Sequence, residues 1–582
     1  MSTVAEETVT TASQASDAGR RARRRYVGDL SATGEPFLWG LGGALTLGVA
    51  LVVGFLLMIF WNGAATFWPG PIEVLTLKNG AQVAGEPARE NRFRPDPTLL
   101  SGLPEAQQRQ IAEAGGYVHR VLYRIGNYDL YNEDFRWVSD YEVAERQTPP
   151  EMYLFERQEW GPFVGTIAAV TVDGTRHEAA ELGGEELRRL QREARERFER
   201  IRAIERKDIG AVNHYIEEAR LELRRAALEE GEESPAYLAV KQTVEARIGE
   251  LKREYRELAE QAEAIKAEDE RHRITLREIG GREKEMPISQ IVRFYPANAL
   301  SWGDKVGIYF SRWGEFLGSE PREANTEGGV LPAIFGTVTM TLMMVVFVAP
   351  LGVITALYLR EYAKQGRLVS IVRISVNNLA GVPSIVYGVF GLGFFAYTLG
   401  YSIDQLFYPE RLPSPTFGTG GLLWSALTLA LLTVPVVIVA SEEALAAVPR
   451  SMREGSLACG ASTWQTIRYV VLPRALPGIM TGLILAMARG AGEVAPLMLV
   501  GVVKLAPELP VDGFFPYIHL ERSFMHLGFH IYDVGFQSRN SEAGKPMVFV
   551  TTMLLLGLIV LMNSSAIYIR NRLKKKFTGG SF

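Results

Sequence analysis

The chain has 582 residues, 47% hydrophobic and 22% charged, with a net charge of −4. That balance carries no nucleic-acid footprint, and a single cysteine, Cys459, excludes an intrachain disulfide or a cysteine metal cage. The averages hide a segregation, because charges crowd into about 180–285 and long apolar runs occupy the ends.

Residues 1–35 read as a disordered cytoplasmic tail that ends in the basic run Arg20-Arg21-Ala22-Arg23-Arg24-Arg25. Residues 36–61 form the first expected transmembrane helix; Phe37 to Trp61 carries no charge and is long enough for ~30 Å of hydrocarbon. A signal peptide is the rival, but the run exceeds a typical h-region and no small-residue cleavage site follows. From 62 to 327 the chain reads as water-soluble and extracytoplasmic, an α+β domain. Ile72 to Leu77, Lys78-Asn79-Gly80 and Ala81-Gln82-Val83 predict a hairpin with a type I′ turn. Further strands are expected at Tyr123-Arg124-Ile125, Met152 to Phe155 and Val164 to Val172.

Residues 185–230 and 234–275 predict an antiparallel helical hairpin of coiled-coil period, inserted between strands. In its second half Val244, Ile248, Leu251, Tyr255, Leu258, Ala262 and Ile265 step by four and three. Gly231, Ser234 and Pro235 supply a stop, a cap and a first helical residue between the halves. Strands at Ile274-Thr275-Leu276 and Ile288 to Phe294 would complete the β unit.

Residues 328–582 predict five more spans, at about 330–358, 372–400, 421–441, 476–502 and 547–569. Arg360, Lys364 and Arg367 mark one inner loop, Arg450 to Arg474 another, and Arg570 to Lys576 the end. About six spans with both termini in the cytoplasm follow from this alternation.

The cytoplasmic loop 443–474 holds Glu454-Gly455-Ser456, then Gly460-Ala461, then Leu472-Pro473. This spacing resembles the loop of ABC importer permeases that docks into a separate ATPase subunit. Gly455 and Ser456 stand where that pattern has alanines, and Val470 where it has Ile. Gly460 would allow a tight turn and Pro473 would end the loop before the next helix. Gly381-Val382-Pro383-Ser384-Ile385-Val386-Tyr387-Gly388 and Arg489-Gly490-Ala491-Gly492-Glu493-Val494-Ala495-Pro496 resemble the phosphate-specific (Pst) importer permeases, PstA type. The resemblance implies a type I ABC importer permease fold: an all-α polytopic membrane protein, here carrying the α+β domain as a large insertion. It also implies a bacterial inner-membrane location among lipid, a second PstC-type permease, a dimer of ATP-binding subunits and an extracytoplasmic phosphate-binding protein.

Arg489 and Glu493 are the sharpest pair. Charges within a span are expensive, and four residues apart they would share one helix face. A guanidinium suits a phosphate anion, and Glu493 would neutralise it in an empty pathway. The alternative is a structural ion pair. Pro383 interrupts a span beside Ser384, Asn377 and Asn378, which would line the pathway or simply pack helices. His526 and His530 are four apart, but no third ligand has motif spacing, so no metal is expected. No phosphate-cradling glycine loop, nucleophile elbow or His-Glu-x-x-His occurs, so neither a catalytic residue nor a cofactor is expected. The expected role is a permease subunit of an ATP-driven phosphate importer, not an enzyme. Alternatives are a permease for sulfate or molybdate, or a membrane-anchored coiled-coil sensor or scaffold.

Overall fold

The computed structural model describes residues 36–578 apart from 97–99, 103, 114, 180, 182, 507 and 539–540. The tail expected at 1–35 lies outside the described residues. The chain divides into two compact units, Met1–Asn62 and Gly63–Phe582. The first holds most of α1 (Pro36–Ala65), an uninterrupted apolar helix without a charge.

The second unit opens with antiparallel sheet. Strands β1 (Glu73–Leu77), β2 (Gln82–Phe93), β3 (Val118–Arg124), β4 (Phe135–Ser139) and β5 (Val143–Gln147) run in the order β4-β3-β2-β1-β5. Strands β6 (Tyr153–Arg157), β7 (Phe163–Val172), β8 (Thr175–Glu178), β9 (Arg273–Arg277), β10 (Glu283–Pro287) and β11 (Ile291–Pro296) form a second sheet. Its order is β10-β9-β7-β6-β11, with β8 also on β7. Ile72, Val74, Ala84, Met152, Leu154 and Tyr295 share one core across the two. The β1–β2 turn differs from expectation. Only Gly80 has positive φ (+85°), whereas type I′ needs two such residues. Gly80 N–H donates to Leu77 C=O, and the Asn79 side chain accepts from Ala81 N–H, so the turn closes over three residues.

The helical arm leaves from β8 and returns at β9, both neighbours of β7. It comprises α2 (Gly184–Arg202), a π-helical stretch Ala203–Asp208, α3 (Ile209–Glu230) and α4 (Pro235–Asp269). Leu187, Leu190 and Ala194 root it in the core of the second sheet. The π stretch moves the apolar stripe from Ile204 to Val212, Ile216 and Ala219. Gly231 (φ +81°) ends α3, and the Ser234 hydroxyl caps α4 at Tyr237 N–H with Pro235 first in the helix. Two expectations change. The arm ends at Asp269 rather than 275, because residues from Arg273 pair with β7 and β10. The seam on α4 is buried at Val244 and Ala262 but exposed at Tyr255, so it is not covered along its length.

A helix unforeseen from sequence, α5 (Trp302–Gly318), joins the sheets to the membrane region, started by a Ser301–Asp304 capping box. Largely covered Glu156 on β6 faces Arg312 of α5 (2.8 Å) and Arg293 of β11; Glu315 of α5 takes Arg293 (3.1 Å) and Arg322. Burial pushes the Glu156 carboxyl up, but the two guanidiniums outweigh it and hold it below the ordinary value.

Six helices among the described residues are long and apolar enough to cross a membrane: 39–65, 331–362, 384–407, 422–446, 463–492 and 541–575. The second begins as α6 (Leu331–Leu357). Next come α7 (Arg367–Leu379) and α8 (Ser384–Phe390), which opens the third span. The span predicted at 372–400 is thus two elements, because Pro383 lacks an N–H and forces the residue before it out of helix. The fourth, α9 (Leu422–Ala446), is the most enclosed and packs on α6. After α10 (Arg450–Ala458), the fifth span joins α11 (Thr463–Thr466), a π stretch Ile467–Val471 and α12 (Leu472–Gly492). Short helices α13 (Ala495–Val500) and α14 (Leu527–Tyr532) precede α15 (Ser541–Thr578), which carries the last span. Asn325 Nδ2 donates to Asp533, and Arg225 meets Glu410, so the connections that carry Asp533 and Glu410 share the side of the sheets.

Candidate functional site

The sequence Gly490-Ala491-Gly492-Glu493-Val494-Ala495-Pro496 breaks the fifth span. Glu493 is extended (φ −80°, ψ 136°), and α13 restarts with Pro496 in its first turn, where a missing N–H costs nothing. Arg489 Nε still lies 3.4 Å from Glu493 Oε1, with the side chains 38% and 21% exposed. The pair therefore forms across a helix end and not, as expected, along one helical face. Gly490 packs on Met344, the midpoint of α6, and Met344 faces Thr433 near the midpoint of α9. The break thus sits about halfway along its neighbours.

The structure brings the first turns of α8 to this break. A Cβ on Gly388 would lie 2.7 Å from Pro496 Cα, so only glycine lets α8 and α13 touch. Tyr387, one residue before Gly388, turns its hydroxyl to the break between α7 and α8. That hydroxyl donates to Leu379 C=O at 2.6 Å, closing the α7–α8 break with a partner for an orphan carbonyl. Ser384 is half-buried at the start of α8. Pro383 and Asn378 are exposed and make no contact that joins them to Arg489.

A second polar site lies at the other ends of α6 and α9. A cavity of about 180 Å³ is lined by Leu359, Arg373, Val376, Asn377, Ile438, Val439, Glu442 and Glu443. Arg373 Nε is 3.3 Å from both Glu442 oxygens, and its Nη1 donates to Gln365 at 3.0 Å. Arg373 is absent from the sequence-predicted set, although a lone charge inside a predicted span at 372–400 was its signal.

On the same side, α10 is fastened by Arg453. Its guanidinium donates to Glu361 (2.9 Å) and to the Leu445 and Val448 carbonyls (2.7 and 2.6 Å). Glu454 and Gly455 are left exposed on α10. Gly460, exposed at φ +85°, turns the chain, while Ala461 N–H donates to Ser456 C=O. Ser462 and Gln465 cap the next helix. Pro473 does not end the loop before a helix. With Leu472 it sits half-buried inside the helix from Thr463 to Gly492, directly after a π stretch that already shifts the hydrogen-bond register.

His526 and His530 are buried; His526 Nδ1 accepts from Gly528 N–H. Burial pushes both imidazoles down to about 4. Among the described residues no group of three His, Cys, Asp or Glu is placed to hold a metal.

Residues 348–575 match the family described as the binding-protein-dependent transport system inner membrane component. The chain is 36% identical over 204 residues to a probable ABC transporter permease protein, YqgH, of Bacillus subtilis, across 34% of this chain and 62% of that one. It is 41% identical over 175 residues to the phosphate transport system permease protein PstA 1 of Mycobacterium tuberculosis, across 30% and 52%. The match spans about half to three-fifths of these curated relatives. The inward-facing methionine ABC transporter MetNI aligns with a TM-score of 0.32 at 20% identity, covering 42% of this chain and 95% of that one.

Proposed function

We propose, from the match of residues 348–575 to the inner membrane components of binding-protein-dependent transport systems, that this chain is one half of the translocation pathway of an ATP-driven phosphate importer. The observation that carries the reading is the broken fifth span, which leaves a half-exposed guanidinium paired with one carboxylate midway along its neighbours. The identity to relatives named as phosphate permeases supports the choice of anion.

Phosphate is an anion with several acceptor oxygens. Arg489 would receive it through paired N–H donors, and Glu493 would take the guanidinium back when the anion leaves. The half-buried Ser384 hydroxyl would add a donor at the start of α8, and Pro383 with Asn378 would border the path on the far side of the break. Glu454, Gly455, Gly460, Ala461, Leu472 and Pro473 would seat the ATPase subunit. Arg453 would pass its movement to the end of the second span through Glu361. Partners in this reading are a PstC-type second permease, an ATPase dimer and an extracytoplasmic phosphate-binding protein. Both termini would be cytoplasmic, because the side bearing Arg360, Arg367, Arg450 and Arg468 collects the loop cations.

The test is uptake of radiolabelled phosphate at micromolar concentration by cells lacking the chain and by complemented cells. Uptake should return with the chain and resist excess sulfate and molybdate. Competition by either anion would reassign the substrate.

A further inference from the structure

The helical arm is tied to the membrane helices at three places. Arg225 on α3 donates to Glu410 at 2.5 Å, and Glu410, in the connection between the third and fourth spans, is 2% exposed. Burial raises the Glu410 carboxyl, but Arg225 outweighs it and holds it below its ordinary value. A few turns back along α3, the His214 ring lies 4.2 Å from Phe514 and Tyr215 meets it edge-on at 5.9 Å. Phe514 belongs to the connection between the fifth and sixth spans. At the arm's base, Arg202 (2.6 Å) and Arg206 pair with Glu320, just ahead of the second span.

We propose that the arm is a strap across the sheet-bearing side of the permease. It holds the 408–421 and 501–526 connections at a fixed spacing and is released when the spans change conformation. Three features argue for it. The arm is rooted at one end in the core of the second sheet. The same sheet is joined through the Glu156–Arg293–Arg312–Glu315 network to α5 and so to the second span, so movement there is passed to the arm's base. The distal ties, by contrast, are one ion pair, whose exposed Arg225 can return to water although Glu410 is buried, and one ring cluster. The inference rests on the transporter reading but not on which solute is carried.

The test uses the assembled transporter in proteoliposomes, with ATP hydrolysis as the readout, so that no solute need be named. His214→Cys with Phe514→Cys would be linked by a short bifunctional methanethiosulfonate. The wild type, whose Cys459 is exposed, and each single variant would be treated in parallel. Linking should lower hydrolysis at least about fivefold, with recovery in dithiothreitol, and Arg225→Ala without a linker should raise the resting rate by about as much. Undiminished hydrolysis in fully linked transporter overturns the strap. Failure of the wild-type chain to assemble with an ATPase would instead refute the transporter reading and the strap with it.

Discussion

Arg453 donates to Glu361 at 2.9 Å across 92 residues of sequence, joining the short helix after the fourth span to the end of the second. Both side chains are largely covered. Arg453→Ala would take this donor from a covered carboxylate and from the Val448 carbonyl. If the chain is the proposed half of a phosphate importer, phosphate uptake per ATP hydrolysed should fall several-fold while the amount in the membrane stays constant. In a double-mutant cycle with Glu361→Ala, the two losses should be non-additive by about 0.5–3 kcal/mol; simple additivity would separate the helices' coupling from this pair.

Arg489→Lys keeps the charge at the broken span but removes the planar fork. If the guanidinium receives the anion, uptake should drop by roughly ten- to a hundredfold, the range of about 1.5–3 kcal/mol for hydrogen bonds to charged groups. Normal uptake with a lowered unfolding midpoint would assign the pair to helix packing.

At Gly388 the prediction is steric. An added Cβ would meet the Pro496 backbone, which cannot swing aside as a side chain can. Gly388→Ala should destabilise the membrane unit by about 1–3 kcal/mol, read as a lower unfolding midpoint in detergent. Gly490→Ala meets only the flexible Met344 thioether and should be milder.

Gly460 sits in open space at φ +85°, so Gly460→Val is a backbone test and not a packing one. Strain of about 1–2 kcal/mol should deform the turn after α10. ATPase subunit recovered with the chain should decrease, while the chain alone unfolds at nearly its usual temperature. Full recovery would remove this turn from the docking surface.

His526 and His530 are held near 4, below their ordinary 6.5, by burial. The folded state therefore favours the neutral rings. Their contribution is complete above about 6.5 and is lost as pH falls toward about 4, at about 1.4 kcal/mol per pH unit for each ring. Unfolding midpoints measured across that window should fall toward acid, and His530→Leu should make the slope shallower. An unchanged slope would show that His530 is not a source of the acid sensitivity.

Sequence by itself determined whatever acts within a turn or a run. Apolar length marked the spans. Ser234 and Pro235 started α4 because a cap and a ring-fixed φ work on their own neighbours. Gly460 marked its turn for the same reason. Alternation showed most strands, and Arg489 and Glu493 stood out as charges in an apolar stretch. Tertiary structure decided the rest. Glu493 lies outside its helix because α13 must reach Gly388 on α8, and Pro473 lies inside one because a π stretch absorbs its missing bond. Arg453–Glu361, Arg373–Glu442 and Arg225–Glu410 join residues 92, 69 and 185 positions apart. No periodicity encodes such pairs, because a side chain finds a distant partner only once the elements between them have packed.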